Sequence, residues 1–117
     1  MPTLTKRILS GSTTGLSILV AATATPGTLI HTAVAGVADM DEIYLYAINT
    51  DTVDRKLTLE WGSTTAPDNL IEFTVLAESG LYLIAPGLLL QNGLIVRAFA
   101  AAASVVAIHG WVNRITA

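Results

Sequence analysis

The sequence predicts an all-β fold, either an antiparallel sandwich or a jelly-roll-like barrel, in a single domain. Residues 55–61 alternate strictly, with Leu57, Leu59 and Trp61 on one face and polar side chains on the other. This is the period of a half-buried antiparallel strand. Turn formers recur between short β-rich runs at intervals of about 8–12 residues, as in sandwiches and barrels. Helical periodicity is weak and no repeat or linker divides the 117 residues, so we expect one domain.

The predicted domain spans residues 16–117, preceded by residues 1–15, which are rich in Thr, Ser and Gly. This N-terminal stretch is either an arm that reaches a neighbouring molecule or a frayed end. Residues 42–48 are apolar or aromatic on both faces, which is typical of a central or interface strand. Because residues 49–54 are mostly turn formers, we predict that this strand forms a hairpin with residues 55–61.

The other predicted strands are short apolar runs bounded by turn signals. Asn92-Gly93 is the strongest hairpin signal of the chain and predicts pairing between its flanking strands. Pro26-Gly27 and Pro86-Gly87 mark further turns. Alanine favours helix, but the alanine run at residues 98–103 is short and flanked by β-branched segments, so we predict a tight connection there. These strands comprise residues 16–20, 28–33, 70–75, 81–84, 88–90, 94–99 and 104–115.

The composition indicates assembly. Charged residues make up 13% of the chain and hydrophobic residues 52%, whereas an average domain carries roughly 25% charged residues. A monomer of this size has too much surface to cover with so few charges, so we expect part of it to be buried against other chains. The net charge is −3 and the six basic residues are scattered, which argues against nucleic acid as a partner.

Neither a membrane segment nor a signal peptide is expected from the sequence. Residues 94–108 form the most apolar window, but Arg97 interrupts it and it is shorter than the ~20 residues of a spanning helix. The first residues lack an apolar stretch behind a basic one, so we expect a soluble protein made in the cytoplasm. The absence of cysteine excludes disulfides, thiol nucleophiles and thiolate metal sites.

No catalytic, cofactor-binding or metal-binding residues are predicted. His31 and His109 lie on predicted strands outside any nucleophile-elbow motif, so we expect hydrogen-bonded structural histidines. Asp39, Asp41 and Glu42 lead into a strand and could contribute oxygen ligands to Ca²⁺. We favour a solvated loop whose charges discourage pairing at a sheet edge.

Four aromatic residues are the candidate interface residues: Tyr44, Tyr46, Trp61 and Trp111. Tyr44 and Tyr46 are two residues apart and therefore lie on one face of their strand. Three interpretations remain open, namely an ordinary β core, a protein interface anchored by aromatic rings, and a surface that stacks on sugars.

Several runs spread over nearly the whole chain share the pattern of one family. They are residues 3–13 (TLTKRILSGST), 21–33 (AATATPGTLIHTA), 41–52 (DEIYLYAINTDT), 55–62 (RKLTLEWG), 86–93 (PGLLLQNG) and 112–115 (VNRI). In these runs the chain resembles small virion proteins of tailed bacteriophages, which are encoded among head genes and often act as capsid decoration, or cement, proteins.

The resemblance implies a structural protein on the surface of a virion capsid, where it forms a homotrimer and binds the major capsid protein. Such a protein is not an enzyme and needs no cofactor. Two alternatives stay open. One is a head–tail connector or a tail or fibre subunit, and the other is a carbohydrate-binding module on the virion surface.

Overall fold

The computed structural model describes residues 2–117, which form nine strands and no helix. Two antiparallel sheets pack against each other, which confirms the predicted all-β sandwich. The strands are β1 (Thr3–Ile8), β2 (Ile18–Leu19), β3 (Thr28–Thr32), β4 (Met40–Asn49), β5 (Arg55–Trp61), β6 (Leu70–Val75), β7 (Tyr82–Leu90), β8 (Ile95–Ala100) and β9 (Val106–Thr116).

The strand order is that of a jelly roll. The five-stranded sheet has the order β1-β9-β4-β7, with β2 pairing with an earlier part of β9, and the four-stranded sheet has the order β3-β8-β5-β6. The pairs β2–β9, β3–β8, β4–β7 and β5–β6 are nested within one another along the chain. A ribbon of nested antiparallel pairs folded into two sheets gives the double Greek key of the jelly roll.

The core lies between the two sheets and follows the alternation of the sequence. Leu57 and Leu59 of β5 point inward, as predicted, and are at most 1% exposed. Ile43, Leu45 and Ala47 cover the inner face of β4 and are fully buried. The apolar side chains of the two facing sheets form one buried cluster. Burial of apolar surface between the sheets is the main stabilising interaction of a sandwich.

The predicted hairpin between residues 42–48 and 55–61 is wrong, because β4 and β5 belong to different sheets. The side-chain amide of Asn49, at the end of β4, donates hydrogen bonds to the carbonyls of Val53 and Val75, both at 2.9 Å. Val75 ends β6 in the four-stranded sheet. Asn49 therefore directs the chain across to the other sheet instead of back along its own.

The predicted hairpin around Asn92-Gly93 is also wrong, although the turn itself is present. Asn92 and Gly93 have φ of 63° and 67°, the left-handed pair that this dipeptide favours. The backbone amides of both residues donate to the carbonyls of Gly36 and Val34, at 2.8 and 2.9 Å. The turn is thus bound to the segment before β4, and it joins β7 of one sheet to β8 of the other.

Two smaller predictions also need correction. Pro86-Gly87 does not end a strand, because β7 runs through it with shifts in its register against β4. These shifts are bulges, which accommodate proline on an edge strand. The alanine run is a strand as far as Ala100, because Ala98 and Ala100 face the core and are almost fully buried. Their small side chains serve close packing between the sheets.

Part of the predicted N-terminal stretch pairs within its own chain. Strand β1 lies antiparallel to the last six residues of β9, from Trp111 to Thr116, and all six of its side chains are exposed. Leu9, directly after β1, is only 1% exposed and belongs to the core. The segment is therefore anchored at Leu9, whereas β1 extends one edge of the five-stranded sheet.

Candidate functional site

The outer face of the five-stranded sheet carries a row of apolar and aromatic side chains that crosses four strands. Ile8 of β1 lies opposite Trp111 of β9, Trp111 opposite Tyr44 of β4, and Tyr44 opposite Pro86 of β7. Residues directly opposite each other in antiparallel strands share one face of the sheet. We call these four residues the aromatic row.

The rings of this face stack on one another. Tyr44 and Trp111 have ring centroids 4.8 Å apart and planes inclined by 12°. Tyr46, two residues further along β4, lies 6.0 Å from Trp111 at an angle of 25°. The Lys6 Nζ stands 5.5 Å from the centre of the Trp111 ring, within the range of a cation–π contact. Three of the four predicted interface residues thus form one cluster.

Trp61, the fourth predicted interface residue, lies elsewhere. It ends β5 in the four-stranded sheet and packs against the core. Its side chain follows Leu57 and Leu59 on the inward face, as the alternation of β5 requires. For Trp61, therefore, the contacts are those of an ordinary β core.

Polar side chains border the aromatic row on one side. The Tyr44 hydroxyl donates to Glu42 Oε1 at 3.1 Å, and Asn113 Nδ2 donates to the same oxygen at 3.0 Å. The hydrogen bond to Glu42, with burial and the carboxylate charge, raises the pKa of Tyr44. The Trp111 Nε1 is buried and has no hydrogen-bond partner among residues 2–117.

Gly87 makes room for the aromatic row. A Cβ atom on Gly87 would lie 3.0 Å from the phenol oxygen of Tyr44, so the tyrosine ring covers the backbone of β7 at this point. The φ of Gly87 is 89°, a conformation that side chains disfavour. The Pro86-Gly87 bulge, predicted as a turn, therefore positions Tyr44.

Exposed leucines and isoleucines extend this surface to both edges of the sheet. On β7, Leu83 lies opposite Tyr46 and Leu89 opposite Glu42, and they are 49% and 53% exposed. On β1, Leu4 and Ile8 are 63% and 51% exposed. The sequence motifs do not single out these leucines, although residues 79–96 contain no charge, a signal that favours an apolar surface on β7. The outer face thus combines an aromatic centre with apolar edges, the composition of an interface core.

A second cluster, at one end of the sandwich, joins both sheets through a buried carboxylate. Asp41 of β4 is fully buried and accepts hydrogen bonds from Arg114 Nε at 2.7 Å and Arg114 Nη2 at 3.0 Å. His31 of β3 contacts the same carboxylate through Nε2 at 2.7 Å. The interpretation of Asp41 as part of a solvated loop is therefore wrong, because its charge is balanced inside the protein.

The hydrogen bonds of His31 define its tautomer. The Ser10 backbone amide donates to Nδ1 at 3.0 Å, so Nε2 carries the proton and donates it to Asp41. Burial lowers the pKa of His31, against the raising effect of Asp41, and the imidazole is neutral. The hydrogen bonds from Arg114 and His31 outweigh burial and lower the pKa of Asp41.

These contacts suit a structural cluster. Both nitrogens of His31 are engaged and the residue is 2% exposed, so neither nitrogen is available to accept a proton from a nucleophile. The Ser10 hydroxyl accepts from the Thr32 amide at 2.6 Å instead of contacting the imidazole. His109 lies on the outer face, opposite Tyr46, and is half-buried.

Comparisons of the chain with protein-family models, curated proteins and solved structures find no match. Within residues 2–117, no helix is long and apolar enough to cross a membrane. In the same range, no three His, Asp or Glu side chains are grouped so that they could hold a metal ion.

Proposed function

We propose that this chain is a structural virion protein that decorates the capsid of a tailed bacteriophage. In this proposal it is not an enzyme, associates with itself as a homotrimer and binds the major capsid protein on the outer surface of the head, after synthesis in the host cytoplasm. The observation that carries the proposal is the outer face of the five-stranded sheet. Its aromatic row and exposed leucines present apolar side chains of the kind that mark protein interfaces.

The fold and the composition support this proposal. Jelly rolls occur in viral capsid proteins, where they supply rigid surfaces for assembly. Among residues 2–117, thirteen large hydrophobic residues are exposed in the isolated molecule, and closed cyclic symmetry would cover a self-complementary set of them.

Stabilisation of a capsid would follow from binding alone. A protein that binds the assembled shell and not its separated subunits shifts the equilibrium towards the shell by mass action. Many copies, each attached to several capsid subunits, add avidity without any covalent chemistry. No catalytic group is needed for this role.

The oligomeric state tests self-association directly. We expect size-exclusion chromatography with light scattering to give three times the chain mass of 12.3 kDa. The variants Leu83→Glu and Leu89→Glu place charges on the outer face and should dissociate the trimer. Leu29→Glu is the matched control, because Leu29 is an exposed leucine on the other sheet. A monomer at every concentration, or dissociation by the control alone, would contradict the proposal, and a ring of different symmetry would favour a head–tail or tail component.

A carbohydrate-binding module is the second candidate, because Tyr44, Tyr46 and Trp111 are grouped on a sheet face of a jelly roll. Jelly rolls include lectin domains, and aromatic rings bind sugars by stacking. Retention of a glycan on an array, lost in Trp111→Ala, would favour this candidate. The capsid proposal predicts no glycan above background.

A further inference from the structure

Arg97 lies beneath a surface cavity on the four-stranded sheet, on the side of the molecule opposite the aromatic row. It projects from the outer face of β8, between Glu60 of β5 and Leu29 of β3. The cavity has a volume of about 240 Å³ and is lined by Glu60, Gly62, Ser63, Thr64, Gly93, Leu94, Ile95 and Arg97.

The neighbouring carboxylate of Glu60 is bound to another part of the chain. The Thr25 hydroxyl donates to Glu60 Oε2, and the Gly27 amide donates to Oε1 at 2.6 Å. The carbonyl of the same Gly27 accepts a long hydrogen bond, 3.4 Å, from Arg97 Nη1. The backbone of Gly27 thus links the two charged groups indirectly.

Arg97 forms no ion pair within residues 2–117. The ion pairs of this part of the chain join His31 to Asp41, Arg55 to Asp51, Lys56 to Glu72, and Arg114 to Asp41. Arg97 is half-buried, and its single hydrogen bond leaves most of the guanidinium donors free. A partly desolvated cation with unused donors is stabilised by an anion that enters its cavity.

The cavity walls define what kind of anion fits. Leu94 and Ile95 supply an apolar wall, and the exposed Thr64 adds a hydroxyl to the lining. The volume lies below the ~300–1,000 Å³ of pockets for drug-sized ligands, so the ligand is small. The Glu60 carboxylate also lines the cavity, and it repels a dianion such as sulfate about twice as strongly as a monoanion. Arg97 and the apolar wall must therefore supply the attraction for any anion that binds.

We propose that this cavity binds a small monocarboxylate with a compact apolar body. Arg97 holds the carboxylate through its planar pair of N–H donors, the geometry that guanidinium and carboxylate groups share. Leu94 and Ile95 contact the apolar body. The site is independent of the proposed capsid role, because it lies on the other sheet.

NMR titration of the ¹⁵N-labelled full chain tests this site with three probes: benzoate, benzamide and acetate. Benzamide has the shape of benzoate without its charge, and acetate has the charge without the apolar body. We expect benzoate to shift the Arg97 Nε–H resonance and the amides of Gly62 and Gly93. Its dissociation constant should be at least about tenfold lower than those of both other probes, as charge-assisted bidentate contacts predict.

Variants identify the residue responsible. Arg97→Gln should weaken benzoate binding at least about tenfold, since it removes the charge and the paired donors. Lys56→Gln is the matched control, because it removes one positive charge from the outer face of the same sheet at an exposed position. It should leave the benzoate affinity unchanged.

Equal affinities for benzoate and benzamide would overturn the proposal, as would equal affinities for benzoate and acetate. Benzoate binding that persists in folded Arg97→Gln would also overturn it. The comparison of probes on the wild-type chain does not depend on whether a variant folds.

Discussion

The substitution Asp41→Asn measures how much stability comes from the buried carboxylate that joins the two sheets. Asp41 accepts two hydrogen bonds from Arg114, one from His31 and one from the Val34 amide at 3.1 Å. Asparagine preserves the shape of the side chain but removes its charge. It also replaces one acceptor oxygen with an NH₂ group, which must face the N–H donors of Arg114 or His31.

The expected cost is a large fraction of the stability of the domain. Removing one partner of a buried ion pair costs about 3–5 kcal/mol. Because the Arg114 side chain is 22% exposed and can regain some hydration, we place the cost for Asp41→Asn near the lower limit, at about 3 kcal/mol. Domains of this size unfold with roughly 5–15 kcal/mol, and the corresponding fall in Tm is roughly 10 °C.

Urea denaturation followed by circular dichroism at pH 7 measures this cost, with Asp39→Asn as the matched control. Asp39 is exposed, and its contact with the chain is one hydrogen bond from the Ala117 amide at 2.9 Å. We expect the control to change the free energy of unfolding by less than about 0.5 kcal/mol, as exposed substitutions do. A cost below about 1 kcal/mol for Asp41→Asn, or equal costs for both variants, would refute the reasoning.

Two further predictions concern buried polar contacts. Burial holds the pKa of His31 below its ordinary value of 6.5, so the unfolded chain binds the extra proton and the free energy of unfolding falls as the pH drops below about 6.5, by up to ~1.4 kcal/mol per pH unit. Urea titrations from pH 7 to pH 5 should show this slope in the wild type and in His109→Gln but not in His31→Gln, and a flat wild-type profile would contradict it. Gly27→Ala would place a Cβ atom 2.5 Å from the carbonyl oxygen of Ala98, which displaces the donors to Glu60 and should cost about 2 kcal/mol or more. Gly36→Ala in the same denaturation assay is its control: it meets no atom within 4 Å, but the φ of Gly36 is 79°, so backbone strain alone should cost about 1 kcal/mol. A loss for Gly27→Ala no larger than that for Gly36→Ala would count against the contact.

The sequence was sufficient to predict the class of fold and the faces of the best strands. The alternation of β5 correctly placed Leu57 and Leu59 in the core. Residues 42–48, apolar on both faces, became the central strand β4, with its inner face in the core and its outer face carrying Tyr44 and Tyr46. These features are local, because the pleat of a strand determines which side chains share a face.

The sheet to which each strand belongs could not be predicted in this way. The Asn92-Gly93 turn forms as its residues require, but its backbone contacts with Val34 and Gly36 orient the following strand towards the other sheet. Turn chemistry determines how sharply the chain reverses. The pairing partner depends on contacts between residues far apart in sequence, which no local pattern contains.

The charged clusters were missed for the same reason. His31, Asp41 and Arg114 come together only because β3 faces the β4–β9 pair at one end of the sandwich. The adjacent acids Asp41 and Glu42 are also compatible with a solvated sheet edge, so the sequence did not distinguish a buried Asp41 carboxylate from an exposed one. Similarly, Gly27 contacts both Glu60 and Arg97, which form no ion pair with each other, because residues 25–27 pass over β8.

The nested order of the strands has a consequence for synthesis on the ribosome. Among the nine strands, β1 and β2 emerge first, and they pair with β9, which emerges after the other eight. Between them, β5 and β6 are consecutive partners and can pair as soon as both have emerged. By contrast, pairing of β1 and β2 with the distant β9 is slow because of its loop-closure entropy. Leu4 and Ile8 therefore lack their cross-strand partners, and Tyr44 and Tyr46 lack those on β9, until synthesis reaches that strand. The few charges of the chain give little protection against aggregation in that interval.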